Sequence, residues 1–132
     1  MGRALILETT FLIDLERDHR SGTSTGAIDF LIAQSGARLY LPAMVAGELA
    51  AGASMASRPR WEAFLAPFFL LPVTPDVAWE YGRAYRHLRG VGQLIGANDL
   101  WIAATALAHR MPVVTRNIAH FARVPHLEVE AY

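Results

Sequence analysis

The sequence predicts an α/β fold, three layers of α/β/α around a mainly parallel central sheet, and two observations carry that prediction. Short apolar runs at 4–7, 38–41, 69–71 and 113–114 have strand length and are bounded by Gly, Pro or polar residues. Longer segments with helical spacing lie between them, and strands that alternate with helices imply a parallel sheet covered on both faces. A chain of 132 residues with no repeat, low-complexity tract or block of like charge has the length of one domain, residues 1–132, with one core.

Each element has its own local reason. Residues 4–7 read as a short buried strand and 11–18 as a helix. Ser21 to Thr25 form a turn and a helix start leading into Ile28–Ile32, which Gly36 ends. A second strand covers 38–41. Pro42 then suits the first turn of a helix running to about Ala56. Residues 58–66 read as a short helix and 69–71 as a short strand before Pro72. From Pro75 a long helix carries Val77, Tyr81, Ala84, Tyr85 and Leu88 on one face and ends near Gly90 or Gly92. Asn98 is a suitable N-cap for a helix to about Arg110. Residues 112–115 make a strand, and 127–129 a last one.

Composition bounds the function. Hydrophobic residues make up 53% and charged residues 18%, an apolar excess that points to burial against a partner chain. No run of about 18 apolar residues occurs, so no membrane span is expected. The N-terminus shows no secretory signal. With no Cys there is neither a disulfide framework nor a thiolate metal site, which fits a cytoplasmic protein. Net charge is zero, yet all twelve basic residues are Arg. Codon usage in a GC-rich genome accounts for that bias, and Arg forks also suit phosphate. Composition therefore permits RNA binding without arguing for it.

Three carboxylates occupy places where a carboxylate is costly. Glu8 ends the apolar run Ala4–Leu7, Glu48 sits inside the small apolar segment 45–52, and Asp99 opens the apolar stretch Leu100–Ala104. A buried acid needs a partner, and a divalent cation would be sufficient. In an open α/β sheet ligands gather beyond the carboxyl ends of the strands. Glu8 follows the first strand, and Thr115-Arg116-Asn117 follows the strand of Val113 and Val114. Asp99 opens the helix leading into that strand. Glu48 follows the second strand by about one and a half helical turns, beside Val45, Leu49 and Gly52 on the face that should meet the sheet. The acids are thus expected to converge on one rim, where Mg²⁺ or Mn²⁺ would bind and act on a phosphodiester.

Other features have plainer readings. Asp99 also suits a helix N-terminus on electrostatic grounds, and Glu8 suits a solvated strand end. Asp14, Glu16, Arg17, Asp18 and His19 read as a solvated helix end, with Asp14 a candidate outer contact of the acid site. Trp79, Tyr81 and Tyr85 read as core or interface rather than as a base-stacking platform. His19, His87, His109 and His126 read as surface residues. No Gly-rich phosphate loop, Ser-His-Asp order or metal-spaced His pair is present. A receiver domain is set aside because it needs a Lys, and a flap-type DNA nuclease because the chain is too short for its extra helices.

With these residues in view, the chain resembles the PIN-domain ribonucleases, specifically the VapC toxins of bacterial toxin–antitoxin pairs. The matching segments are Leu5–Asp14, Val45–Leu49, Asn98–Ala106 and Val113–Phe121, in the family's order over essentially the whole chain. The resemblance implies a Mg²⁺- or Mn²⁺-dependent endoribonuclease that cuts structured RNA, commonly tRNA or ribosomal RNA. It also implies a cognate antitoxin whose C-terminal segment covers the active site, and assembly as a homodimer and, with antitoxin, as a heterotetramer or larger. Residue by residue, Glu48 and Asp99 match the family's second and third acids. Glu8 stands where the first acid is normally Asp, and the segment that often supplies a fourth acid carries Asn117 and His120. Thr10, Thr115, Asn117 and His120 are the candidate supporting residues, and Arg116 and Arg86 the candidate phosphate contacts.

The extra methylene of Glu8 moves its carboxylate by about a bond length, against metal-site tolerances of roughly ±0.2 Å. The expectation is a variant of reduced activity, natural or altered to suit its host. The alternative is a weakened PIN module that binds antitoxin, with or without RNA, and does not cut. The aromatic helix at 76–89 is the candidate homodimer seam or antitoxin groove, unless it simply packs on its own sheet. Its Arg83, Arg86 and Arg89 share an exposed side.

Overall fold

A computed structural model describes residues 2–132. Among them five strands and seven α-helices follow in the order β1 (Ala4–Leu7), α1 (Thr9–Ser21), α2 (Ala27–Ala33), β2 (Arg38–Pro42), α3 (Ala43–Ala51), α4 (Arg58–Leu65), β3 (Phe69–Leu71), α5 (Pro75–Gly90), α6 (Ala97–His109), β4 (Val113–Val114), α7 (Ile118–Phe121) and β5 (Val129–Glu130). The strands form one sheet ordered β3-β2-β1-β4-β5, and every pairing is parallel. The predicted α/β class is therefore correct, with a wholly parallel sheet.

That strand order places the site. The chain builds β1, β2 and β3 outward in one direction, then crosses back to add β4 and β5 on the other side of β1. The border between β1 and β4 is the point where the direction reverses, and open α/β sheets bind ligands beyond the strand ends there. Leu7 lies opposite Val114, and the Glu8 N–H donates to the Val114 carbonyl at 3.0 Å. Glu8 and Thr115 thus leave the sheet side by side.

The core explains why the strands can be so short. Leu5, Ile6, Leu7, Leu41, Val113 and Val114 are buried, because helices cover both faces of the sheet and no alternation of apolar and polar residues is needed. Phe11 of α1 meets Phe30 of α2 edge-on, with ring centroids 5.6 Å apart. Tyr81 of α5 stacks on Trp101 of α6 at 4.0 Å. The Trp61 indole of α4 donates to the Ala46 carbonyl of α3 at 3.0 Å. No helix among the described residues is long and apolar enough to cross a membrane.

Several boundaries differ from expectation. Helix α1 begins at Thr9, because the Glu8 side chain caps it. Helix α3 stops at Ala51, since Gly52 takes an extended conformation and a short 3-10 turn, Ala53–Met55, follows. Gly96, not Asn98, precedes α6, which puts Asn98 and Asp99 inside its first turn. The last strand is Val129–Glu130, and α7 was not foreseen.

The largest correction concerns the acids near the end of α1: Arg17 and His19 are exposed as expected, but the carboxylates are not solvated. Asp14, Glu16 and Asp18 are all buried. Asp18 accepts from the Thr25 N–H (3.1 and 3.2 Å), the Thr25 hydroxyl (2.8 Å) and the Thr23 hydroxyl (3.1 Å), pinning the loop that joins α1 to α2. Gly22 and Gly26 in that loop have φ of 68° and 95°, a region where only glycine is unstrained.

Burial works against ionisation of Asp18. The hydrogen bonds from the Thr25 side chain and backbone, from Thr23 and from the Ile28 backbone outweigh it and hold the carboxyl below its ordinary value of 3.8. A depressed native pKa contributes stability above the unfolded pKa, and that contribution is lost as pH falls through the lower native value. We expect Asp18→Asn to melt at lower temperature than the parent at pH ~6 and the gap to narrow below pH ~4, as followed by scanning calorimetry. A gap that widens in acid would contradict this role.

Candidate active site

Glu8 is the centre of the rim. Its backbone ends β1 in an extended conformation, and its carboxylate turns back over the first turn of α1. Oε2 accepts the Thr10 N–H at 3.1 Å, and Oε1 accepts the Thr10 hydroxyl at 2.6 Å and the Thr115 hydroxyl. The residue is 3% exposed. N-caps are usually Ser, Thr, Asp or Asn, whose short side chains reach the free N–H groups directly. Here the longer Glu does so and still spans to β4. Each hydroxyl also accepts: Thr10 from the Arg116 N–H at 3.1 Å, and Thr115 from the Asn117 N–H at 2.9 Å.

Glu48 and Asp99 approach from two other helices. Glu48 is half-buried on α3, between the buried Val45 and Leu49, and its Oε1 accepts the Thr9 hydroxyl at 2.6 Å. Asp99 lies in the first turn of α6, 3.7 Å from His120 Nδ1. Asn117 Nδ2 contacts the same His120 nitrogen at 2.9 Å. The Asp99 carboxyl is held above its ordinary value, first by burial and then by the Glu8 charge; His120 opposes this, and the Glu48 charge adds to it. The three acids therefore share one electrostatic environment. A cation among them would remove the mutual repulsion.

Among the described residues, no three His, Asp or Glu side chains close on one ion in this conformation. The donor chemistry nonetheless fits a hard cation: every acid offers oxygen, and Mg²⁺ needs only one or two carboxylates with water completing its shell. Glu48 has one oxygen without a hydrogen bond among the described residues, and Asp99 has two. Glu8 commits three of its roughly four acceptor sites to Thr10 and Thr115, and Oε2 keeps one beyond its bond to the Thr10 N–H.

Two residues lie outside the sequence reading: Thr9, beside Glu48, and Tyr132, a partner of Asp14. Thr9, which orients Glu48, carried no signal beyond its place after the first acid. Asp14 is 1% exposed. Its two oxygens each lie 2.9 Å from Arg116 Nη1, and Oδ2 also accepts the Tyr132 hydroxyl at 2.6 Å. Burial raises the Tyr132 phenol above its ordinary value, with the Asp14 bond adding and Thr10 and Arg116 opposing, so the phenol stays a donor. The spacing of Thr10 and Asp14 puts them on one helix face, a signal that was legible. On α5, Arg86 lies 5.8 Å above the ring of Trp79, which is 63% exposed. Tyr81 and Tyr85 are half-buried. His109, expected at the surface, is half-buried, and its Nε2 is buried with no hydrogen-bond partner among the described residues.

Thr115 tests the knot. Thr115→Val keeps the shape but removes a donor to Glu8 and the acceptor for the Asn117 N–H. We expect a loss of about 1–3 kcal/mol in urea unfolding, with Thr115→Ser recovering the hydrogen-bond part. A loss under about 0.5 kcal/mol, the level of an ordinary surface change, would contradict the assignment.

The PIN domain family matches residues 5–127 of this chain. A protein from Rickettsia bellii named Ribonuclease VapC is 31% identical over 133 residues, covering 95% of this chain and 93% of its own length. The fold superposes on VapBC2 from Rickettsia felis, solved bound to a DNA fragment from their promoter, with a TM-score of 0.81, 24% identity and 98% of each chain covered. It also superposes on VapBC-5 from Mycobacterium tuberculosis, a member of the VapBC family of toxin-antitoxin systems, with a TM-score of 0.68, 25% identity and 98% of each chain covered. With its acids at the β1–β4 reversal and this match along nearly its whole length, the chain belongs to the PIN domain family, among relatives named Ribonuclease VapC.

Proposed function

We propose that this protein is the ribonuclease toxin of a toxin–antitoxin pair, an endoribonuclease that uses Mg²⁺ or Mn²⁺ to cut structured RNA such as tRNA or ribosomal RNA. The observation that carries the reading is the convergence of Glu8, Glu48 and Asp99 beyond β1, where the sheet reverses direction. The family and the names of the relatives support it. Acting on RNA, the protein would work in the cytoplasm and be restrained by a cognate antitoxin. The apolar composition and the exposed side of α5 favour a homodimer that joins antitoxin in a larger assembly.

Glu48 and Asp99 would hold the ion. When bound, it supplies positive charge to the phosphodiester and acidifies water. The remaining work belongs to the chain. Thr9 fixes the Glu48 rotamer, His120 and Asn117 flank Asp99, and Thr10 and Thr115 keep Glu8 at the rim as a fixed negative charge. Arg116, and Arg86 on α5, are the residues we assign to RNA phosphates.

A second reading has its own support. Because Glu8 spends its carboxylate on three hydrogen bonds, the chain would act as a weakened module that binds antitoxin and RNA without cutting.

One experiment separates these readings: end-labelled tRNA and ribosomal RNA fragments incubated with the purified protein in Mn²⁺, in Mg²⁺ and in EDTA. We expect cleavage that EDTA abolishes and that Asp99→Asn or Glu48→Gln lowers by about 10²–10⁴-fold, the usual contribution of a positioned acid or base. Cleavage that survives EDTA or both substitutions would overturn the metal assignment. RNA binding without cleavage would favour the second reading.

A further inference from the structure

Asp14 is a buried carboxylate with no part in the acid cluster, and its two partners come from distant parts of the chain. Arg116 follows β4 and Tyr132 follows β5, so α1 is tied to both strands on one side of the sheet reversal. The Tyr132 ring also packs edge-on against Phe11, with centroids 4.7 Å apart. A buried charge needs such partners, and removing one leaves the other uncompensated.

Arg116 is only partly engaged by this pair. Its side chain is 58% exposed although its partner is buried, and only Nη1 is engaged. Nε and Nη2 have no hydrogen bond among the described residues. The backbone is fixed too, since the Arg116 N–H donates to the Thr10 hydroxyl, which in turn donates to Glu8. Main chain and guanidinium are therefore both anchored to α1, and the free Nε–Nη2 edge has a set orientation beside the rim. That edge is a bidentate fork, the shape that matches two phosphate oxygens.

We propose that Asp14 and Tyr132 are positioning residues: they hold Arg116 so that its Nε–Nη2 edge takes a backbone phosphate of the RNA next to the bond being cut. The proposal rests on the ribonuclease reading and adds to it a clamp distinct from the acids. Asp14 does not touch RNA in this arrangement. Its negative charge, taken alone, would weaken RNA binding, so charge and positioning predict opposite effects when it is neutralised.

The test is binding rather than cleavage. Anisotropy of a fluorescein-labelled 2′-O-methyl RNA hairpin, which cannot be cut by attack from its 2′ oxygen, is titrated without metal over a series of salt concentrations. We expect Arg116→Ala to weaken binding and to reduce the salt slope by about 0.7–0.9, the share of one phosphate contact. Asp14→Asn should weaken binding about three- to tenfold, the loss of preorganisation of one long side chain; in an Arg116→Ala background only the charge effect remains, so there the same substitution should not weaken binding. Tyr132→Phe keeps the ring on Phe11 and should act in the same direction more weakly, which preserves the test if Asp14→Asn fails to fold. Unchanged or tighter binding by folded Asp14→Asn and Tyr132→Phe would overturn the proposal while leaving the ribonuclease reading intact. A parent that binds no hairpin, and cuts no RNA in Mn²⁺, would overturn both.

Discussion

The Glu8 carboxylate is the interaction on which the rest of the structure depends. It accepts from the Thr10 N–H, the Thr10 hydroxyl and the Thr115 hydroxyl, and so joins the end of β1, the start of α1 and the end of β4. Each of those hydroxyls accepts from the next turn of backbone, Arg116 for Thr10 and Asn117 for Thr115. One side chain thereby fixes the path of the chain at the reversal of the sheet. A carboxylate at the rim is thereby largely committed to holding the fold.

Aspartate at this position would be shorter by a methylene, and we expect it to keep the cap on the Thr10 N–H but to lose reach toward the Thr115 hydroxyl. Glutamate makes the knot possible and leaves Glu48 and Asp99 as the acids with free oxygens. The raised Asp99 carboxyl reports the result: burial first, then the Glu8 and Glu48 charges. Those charges lie close enough to feel one another yet do not close on one point. Glu8 therefore acts on Asp99 through its field, while three of its acceptor sites hold the backbone in place.

Much of this was legible in the sequence, for a physical reason. Glu8, Glu48 and Asp99 stand out because apolar neighbours make a carboxylate expensive, and the strand–helix alternation places them on one rim. The parallel sheet followed from apolar runs too short for helices. Asp14 and Asp18 were misread as solvated because a run of charges near a helix end looks alike whether it faces water or partners. The partners of Asp14 lie 102 and 118 residues away in sequence, beyond any local pattern. Gly52 ended α3 early through backbone conformation alone, and α7 is a single turn that periodicity cannot mark. Thr9 and Thr115 were hard to rank, since a hydroxyl gains its meaning only from the acid it faces.

The most direct measurement is calorimetric titration of the purified protein with Mn²⁺, beside its Asp99→Asn and Glu8→Asp forms. The account predicts binding by the parent, its loss in Asp99→Asn, and tighter binding in Glu8→Asp, where the shorter acid no longer spans its hydrogen-bond donors. Binding by Asp99→Asn equal to that of the parent would contradict it, because the ion would then sit away from the acids that converge at the sheet reversal.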